Sequence, residues 1–126
     1  RLADRGEVLH LASHTFSPEL DRANRTYDIG VLYDPARAYE ADVAERMLFH
    51  LRRADFDVRA NQPYPGTGPS ICTSLREELA GARYAGIQVE TSHAITQRAG
   101  GCARVARALL AFLEDDYSPR VSSAMS

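Results

Sequence analysis

The sequence predicts an α/β fold, a three-layer α/β/α arrangement around a mostly parallel or mixed sheet. Three observations predict it. Short apolar runs recur at residues 8–12, 29–32 and 85–89, each too short for a helix. Between the second and third lies a stretch with helical periodicity, where Val43, Met47, Leu48 and Leu51 share one side and Glu40, Asp42, Glu45, Arg46, Arg52 and Arg53 occupy the others. A further short apolar segment around Val58 follows that helix, which makes a β-α-β unit with a right-handed crossover.

The first strand starts after Gly6, carries Val8, Leu9, Leu11 and Ala12, and closes at Ser17-Pro18. Its apolar run suits a strand covered on both faces. His14 stands at its C-terminal rim, where α/β sheets place ligands, so its imidazole is a candidate for a metal or a proton. Residues 19–27 are polar and charged, a surface loop at that end. Asp28 to Tyr33 form a second strand ended by Asp34-Pro35, and residues 39–54 form the strongest helix, acidic at its start and basic at its end as the macrodipole favours. His50 lies on this helix among arginines and reads as a solvated surface residue.

Residues 61–70 hold Pro63, Pro65, Gly66, Gly68 and Pro69 around Tyr64, a composition that prevents regular structure. By composition this is a rigid surface turn or a loop over a pocket. Residues 70–79 predict a short helix with Ser70 or Thr73 as N-cap and Ile71, Leu75 and Leu79 repeating every four residues. Arg76 and Arg83 flank the next strand and can pair with Glu77 or Glu78. That strand alternates, with Ile87 and Val89 on one side and Gln88 and Glu90 on the other, and ends in the Glu90 carboxylate. Residues 91–100 read as a polar loop, and residues 101–114 as a last helix packed through Val105, Leu109, Phe112 and Leu113.

The 126 residues suit one domain over residues 1–117 with a flexible tail at 118–126. All 15 basic residues are arginine, the net charge is -2, and charges of both signs are mixed, so no basic stripe suggests nucleic acid. No apolar run approaches the ~20 residues of a membrane helix. Cys72 and Cys102 have no C-x-x-C spacing and read as reduced thiols of a cytoplasmic protein. The first residue is Arg1, not methionine, from which a processed or trimmed product is expected.

Four segments, taken together, resemble the N-formylglutamate amidohydrolase family, itself similar to the zinc carboxypeptidases. They are His10-Leu11-Ala12-Ser13-His14-Thr15-Phe16-Ser17-Pro18, Asp28-Ile29-Gly30-Val31-Leu32-Tyr33-Asp34-Pro35, Asn61-Gln62-Pro63-Tyr64-Pro65-Gly66 and Tyr84-Ala85-Gly86-Ile87-Gln88-Val89-Glu90. Their order and approximate spacing carry more than any one of them. The resemblance covers the C-terminal portion of the family domain and implies a fold of phosphorylase/hydrolase-like type, incomplete at its N-terminus. It implies a zinc-dependent amidohydrolase that cleaves an N-acyl amino acid such as N-formylglutamate to the free amino acid and a carboxylate, a reaction of histidine degradation.

By that resemblance His14 is the later of the metal ligands, the earlier His and Glu lying upstream of the matched region. Glu90 is the general base and Tyr64 a mobile phenol that donates to the acyl group. Arg25, Arg59 and Arg76 are candidates to bind the substrate carboxylate, and the Gly66 backbone lines the entrance. The cofactor implied is Zn2+, the partner a small N-acyl amino acid. The rest of the domain, or a partner chain, is expected to complete the site. His10 lies ~13 Å from His14 along an extended strand, too far to share one tetrahedral metal, and is expected to pack internally. After Glu90 the chain reads Thr91-Ser92-His93 where the family continues with apolar and Gln-like residues. Two other readings stand beside this one. The chain is a truncated or degenerate relative that binds an amino-acid-like ligand without catalysis, or His14, His93 and Glu90 make a zinc site of their own. A piece that splits a sheet exposes an apolar edge, so aggregation in isolation is expected, and a monodisperse, cooperatively unfolding preparation would contradict it.

Overall fold

In the computed structural model, which describes residues 7–16, 27–80 and 83–117, strands β1 (Glu7–Phe16), β2 (Ile29–Leu32), β3 (Val58–Ala60) and β4 (Arg83–Ser92) form one sheet in the order β1-β4-β2-β3. Helices α1 (Ala38–Arg53), α2 (Ile71–Glu78), the single turn α3 (His93–Thr96) and α4 (Gly101–Phe112) connect or cover them, and a π-helical turn, Leu113–Tyr117, ends the chain's last helix. The sheet is mixed. β1 runs parallel to β4, and β2 parallel to β3, but β2 and β4 are antiparallel. The β2-α1-β3 segment is thus the expected crossover unit between parallel neighbours.

Register sorts the side chains onto two faces. Leu9, Leu11, Ala85, Ile87, Val89, Ile29, Val31 and Val58 meet α1 and α4 in one apolar core with Met47, Leu48, Leu51, Val105 and Phe112. The opposite face carries His10, Ala12, His14, Tyr84, Gly86, Gln88, Glu90, Gly30, Leu32 and Arg59, in pairs set by the register. α2 and residues 61–70 lie on this second face, completing three layers. Cys72 of α2 comes within 3.7 Å of His10 Nδ1, and the Tyr84 hydroxyl lies 2.8 Å from that nitrogen. His10 is therefore half-buried against Tyr84 and Cys72 rather than fully internal.

Several local expectations are corrected. β1 is not covered on both faces. It is the terminal strand of the sheet, half-buried through Ala12 and exposed at Ser13, His14 and Thr15, because only β4 flanks it among the described residues. His50 is buried, not solvated, with Nε2 2.7 Å from Asp116 Oδ2 and its ring edge-on to Phe112, because the turn after α4 folds back over the end of α1. The polar stretch after Glu90 is not a plain loop, since β4 continues to Ser92, whose hydroxyl accepts from Ala94 N–H to start α3. In α2 the residues facing the sheet are Cys72 and Arg76, while Ile71 is 62% exposed. The i, i+4 row that docks is thus Cys72–Arg76 rather than the aliphatic row beside it. Ser70 is the N-cap, accepting from Thr73 N–H at 3.2 Å. α1 ends in a Schellman turn, with Phe56 N–H donating to Leu51 C=O and Asp55, at φ 67, taking the left-handed position usual for glycine.

The second-face architecture hangs on one buried ion pair. β2 ends at Leu32, opposite Gln88, so the edge of β4 before Gln88 has no strand on that side among the described residues. Side chains take the strand's place. Glu40 of α1 accepts from Gly86 N–H at 2.8 Å, Arg76 of α2 donates to Gly86 C=O at 3.0 Å, and Arg37 donates to Tyr84 C=O at 3.1 Å. Glu40 and Arg76 also bind each other, at 2.9 and 3.1 Å. Glu40 further accepts from Asp34 N–H, and Arg76 donates to Gly66 C=O at 2.8 Å. One carboxylate and one guanidinium thereby tie α1, the end of β2, β4, α2 and the 61–70 loop together.

Glu40 has no exposed side-chain surface and Arg76 only 8%, so removing either partner strands a charge away from water. Glu40→Ala and Arg76→Ala are each expected to lower the unfolding free energy by about 3–5 kcal/mol, read by urea denaturation. Arg46→Ala, which breaks the exposed Asp42 pair, is expected to cost no more than about 1 kcal/mol. Equal effects of the two kinds of substitution would refute the bridging role.

Candidate functional site

The site starts from a row of directly paired residues. His14 on β1 is opposite Glu90 on β4, Glu90 is opposite Gly30 on β2, and Gly30 is opposite Arg59 on β3. Paired residues share a face, and neighbouring strands are about 4.8 Å apart. His14 and Glu90 are thereby brought side by side near the C-terminal ends of two parallel strands. Their environments differ. His14 is exposed on the terminal strand, while Glu90 is 3% exposed on an inner one and makes interactions within the protein.

Beyond Glu90 the row is closed. A side chain on Gly30 would collide with the Gln62 carbonyl, because the cis Gln62-Pro63 peptide crosses the sheet at that point. The glycine is required there by close approach of backbone, not by φ. Gln62 and Pro63 consequently stand between Glu90 and Arg59. Arg59 is exposed and donates to Asp57 through Nε at 2.9 Å and Nη2 at 3.2 Å, with its guanidinium 5.7 Å from the Tyr27 ring centre. That hydrogen bond holds the Asp57 carboxyl below its ordinary range.

On the other side of Glu90 a cleft of about 510 Å3 opens between the sheet and the loop that follows β3. Ala12, His14 and Gln88 form its floor, and Tyr64, Pro65, Gly68, Pro69, Ser70 and Ile71 its wall. Tyr64 is 48% exposed at the rim. Glu90 does not line this cleft. It lies one register row past Gln88, beside His14.

The loop is held from behind. Asn61, at φ 53, uses Oδ1 to accept from both Tyr33 N–H and Gly66 N–H, at 3.0 and 3.1 Å. Gly66 is buried against the end of β2, where a side chain would overlap the Tyr33 backbone, and its carbonyl is taken by Arg76. Gly66 and Arg76 therefore set the loop's position from inside and do not line the cleft. The Arg76 guanidinium is engaged by the Glu40 carboxylate. Arg25 lies outside the described residues.

Beside the cleft floor, on the same face of the sheet, Tyr84 lies across Gly86, at which an added side chain would strike the Tyr84 hydroxyl. Burial, with Cys72 next, pushes the Tyr84 phenol well above its ordinary pKa, and burial likewise raises the Cys72 thiol. These two groups are hydrogen-bonding structure rather than nucleophiles. His93 Nε2 is 3.0 Å from Thr15 Oγ1. Among the described residues, no three His, Cys, Asp or Glu side chains come together in a group that could hold a metal, so an independent zinc site of His14, His93 and Glu90 is not supported.

Sequence reasoning placed His14, Glu90 and Tyr64 around one region and missed Glu40, Gln88 and Ile71. Glu40 reads in the sequence as an ordinary first-turn acid. Its partner is 36 positions away, and no periodicity connects them. Gln88 had a visible signal, being in phase with Glu90 on the alternating strand, and only the cleft gives that phase a meaning.

The chain matches no family model and no curated protein. Among solved structures it superposes on the N-formylglutamate amidohydrolase from Ralstonia eutropha with a TM-score of 0.61 and 20% identity, over 88% of this chain and 42% of that one. It also superposes on a gene product of Agrobacterium tumefaciens with a TM-score of 0.57 and 21% identity, over 99% of this chain and 46% of that one. Identities of this size show a shared fold. The chain spans less than half the length of either structure. No helix among the described residues is long and apolar enough to cross a membrane.

The burial of one thiol and exposure of the other give a direct check on the second face. Cys102 is exposed and Cys72 buried with a raised pKa. A thiol reagent at pH 8 is expected to label Cys102 rapidly and Cys72 only at the rate of unfolding, followed by mass spectrometry. Rapid labelling of both would mean that α2 does not dock as described.

Proposed function

We propose that this chain carries the C-terminal portion of an amidohydrolase site that acts on an N-acyl amino acid of the N-formylglutamate type, with His14, Glu90 and Tyr64 as its working groups. One observation carries the reading: an exposed imidazole and a buried carboxylate are register partners at the ends of two parallel strands, next to a cleft, on a fold shared with an N-formylglutamate amidohydrolase. The fold alone would not be enough, because one fold hosts many chemistries.

In this reading Glu90 is the general base. It takes a proton from a water held between its carboxylate and His14 and returns it to the leaving amine, a role worth typically 10²- to 10⁴-fold in rate. Tyr64, at the rim of a loop whose back is pinned by Asn61 and Arg76, donates its phenol to the acyl oxygen of a bound amide. Of the guanidinium candidates for the substrate carboxylate, Arg59 and Arg76 do not line the cleft, and Arg25 lies outside the described residues.

His14 suits one position of a zinc site, since an exposed neutral imidazole is a good zinc donor. The described residues do not complete such a site, so the remaining donors would come from residues outside them or from another chain. Zinc, when bound, lowers the pKa of a coordinated water towards ~7.

The test uses the full-length protein that contains this sequence. Wild type is expected to release formate from N-formyl-L-glutamate, Glu90→Gln to lower kcat by at least about 100-fold, and His14→Ala to lower the zinc content read by atomic emission. Undiminished turnover in Glu90→Gln, or an unchanged zinc content in His14→Ala, would overturn the assignment of that residue.

A further inference from the structure

We propose that Gln88 determines the specificity of the cleft, its side-chain amide pairing with the amide of the bound N-acyl amino acid. This rests on the functional reading above and adds a residue to it that the working groups do not include.

Gln88 is 9% exposed, and what remains of its surface lines the cleft floor. Among the described residues no hydrogen bond reaches its side chain, whereas Glu90, the next residue on that face of β4, is engaged within the protein. Its amide atoms are not among the fully buried polar atoms left without a partner, so they keep access to water or a ligand in the cleft. Its strand neighbours offer the amide no side-chain partner. Ala12, opposite on β1, and Leu32, opposite on β2, are both apolar. Ala12 is also small, which leaves open space beside the amide on the cleft side. What the amide bonds to is therefore what occupies the cleft.

The chemistry of the group names the partner. A primary amide offers one acceptor oxygen and two N–H donors. A trans secondary amide presents its C=O and N–H on opposite edges, so Gln88 reaches one of them, and donation from its amide N–H to the acyl C=O is the bond that marks the N-acyl compound. The free amino acid has no acyl C=O to accept it. Gln88 thus favours the N-acyl substrate over the free amino acid that hydrolysis releases. Across the cleft, Tyr64, Pro65, Pro69 and the exposed Ile71 give an apolar wall against which the acyl and aliphatic parts can lie. Two residues along the strand, about 6.8 Å away, stand Glu90 and its partner His14. An amide held at Gln88 has its carbonyl carbon next to that row.

The experiment compares wild type with Gln88→Leu and Gln88→Glu in the full-length protein. Gln88→Leu removes both functions of the amide, and Gln88→Glu keeps acceptors and loses the donors, so the second variant preserves a polar side chain of the same size should the first fail to fold. With N-formyl-L-glutamate, each folded variant is expected to show KM raised about ten-fold or more and kcat within about two-fold, with the thermal midpoint unchanged in Gln88→Leu. Product inhibition by L-glutamate, which has no amide, is expected to stay the same. A KM equal to that of wild type in both variants would overturn the role of Gln88 while leaving the hydrolase reading intact. Should wild type not cleave the substrate, the hydrolase reading fails and calorimetry with N-acetyl-L-glutamate decides for Gln88 alone. Binding by wild type that weakens about ten-fold in the variants supports it, and equal binding, or none by wild type, overturns it.

Discussion

A charged pair with almost no access to water holds the cleft-bearing face of this sheet in place. Where β2 stops short, β4 would be left with unpaired backbone groups in the interior, a condition proteins rarely tolerate. Glu40 and Arg76 resolve it by acting as a strand made of side chains, one accepting from and the other donating to Gly86. Each is also the other's counter-ion, which limits the cost of burying two charges. The same two side chains reach Asp34 and Gly66, so the end of β2 and the loop above the cleft are positioned by one network.

That arrangement explains why the two faces of the sheet differ so sharply. The face towards α1 and α4 is filled by aliphatic and aromatic side chains and does the work of stability. The other face is polar along two strands, with His10, His14, Gln88 and Glu90 in successive register positions. It is covered by a short helix and an irregular loop rather than by a long helix. An irregular cover leaves a cleft where a helix would have packed it shut, and the polar residues below become available to a ligand. Gly30 and Gly66 allow that cover to come close, one beneath Gln62 and the other against Tyr33.

Within the row that gives the site its character, burial changes step by step. His14 is open on the outermost strand, Glu90 is enclosed, and Gly30 lies under the loop. An accessible imidazole next to a shielded carboxylate suits a pair in which one group meets a ligand or metal and the other handles a proton. Tyr64 at the rim and Gln88 on the floor bracket the same space from above and below.

Period and punctuation alone determined much of this protein. The alternation of Ile87, Gln88, Val89 and Glu90 assigns each residue to a face, and the helical spacing of Val43, Met47 and Leu51 marks α1, because both repeats follow from backbone geometry within a few residues. The placement of His14 and Glu90 at strand ends was legible for the same reason, as was the irregularity of the proline- and glycine-rich loop around Tyr64. Only the tertiary structure decided that these strand ends are neighbours, that β1 is the outermost strand among the described residues, that His50 is buried against Asp116, and that Arg76 pairs with Glu40. Those outcomes depend on contacts between residues 36 to 76 positions apart. Strand order and the pairing of distant charges are set by how whole elements pack against each other, and local periodicity does not encode them.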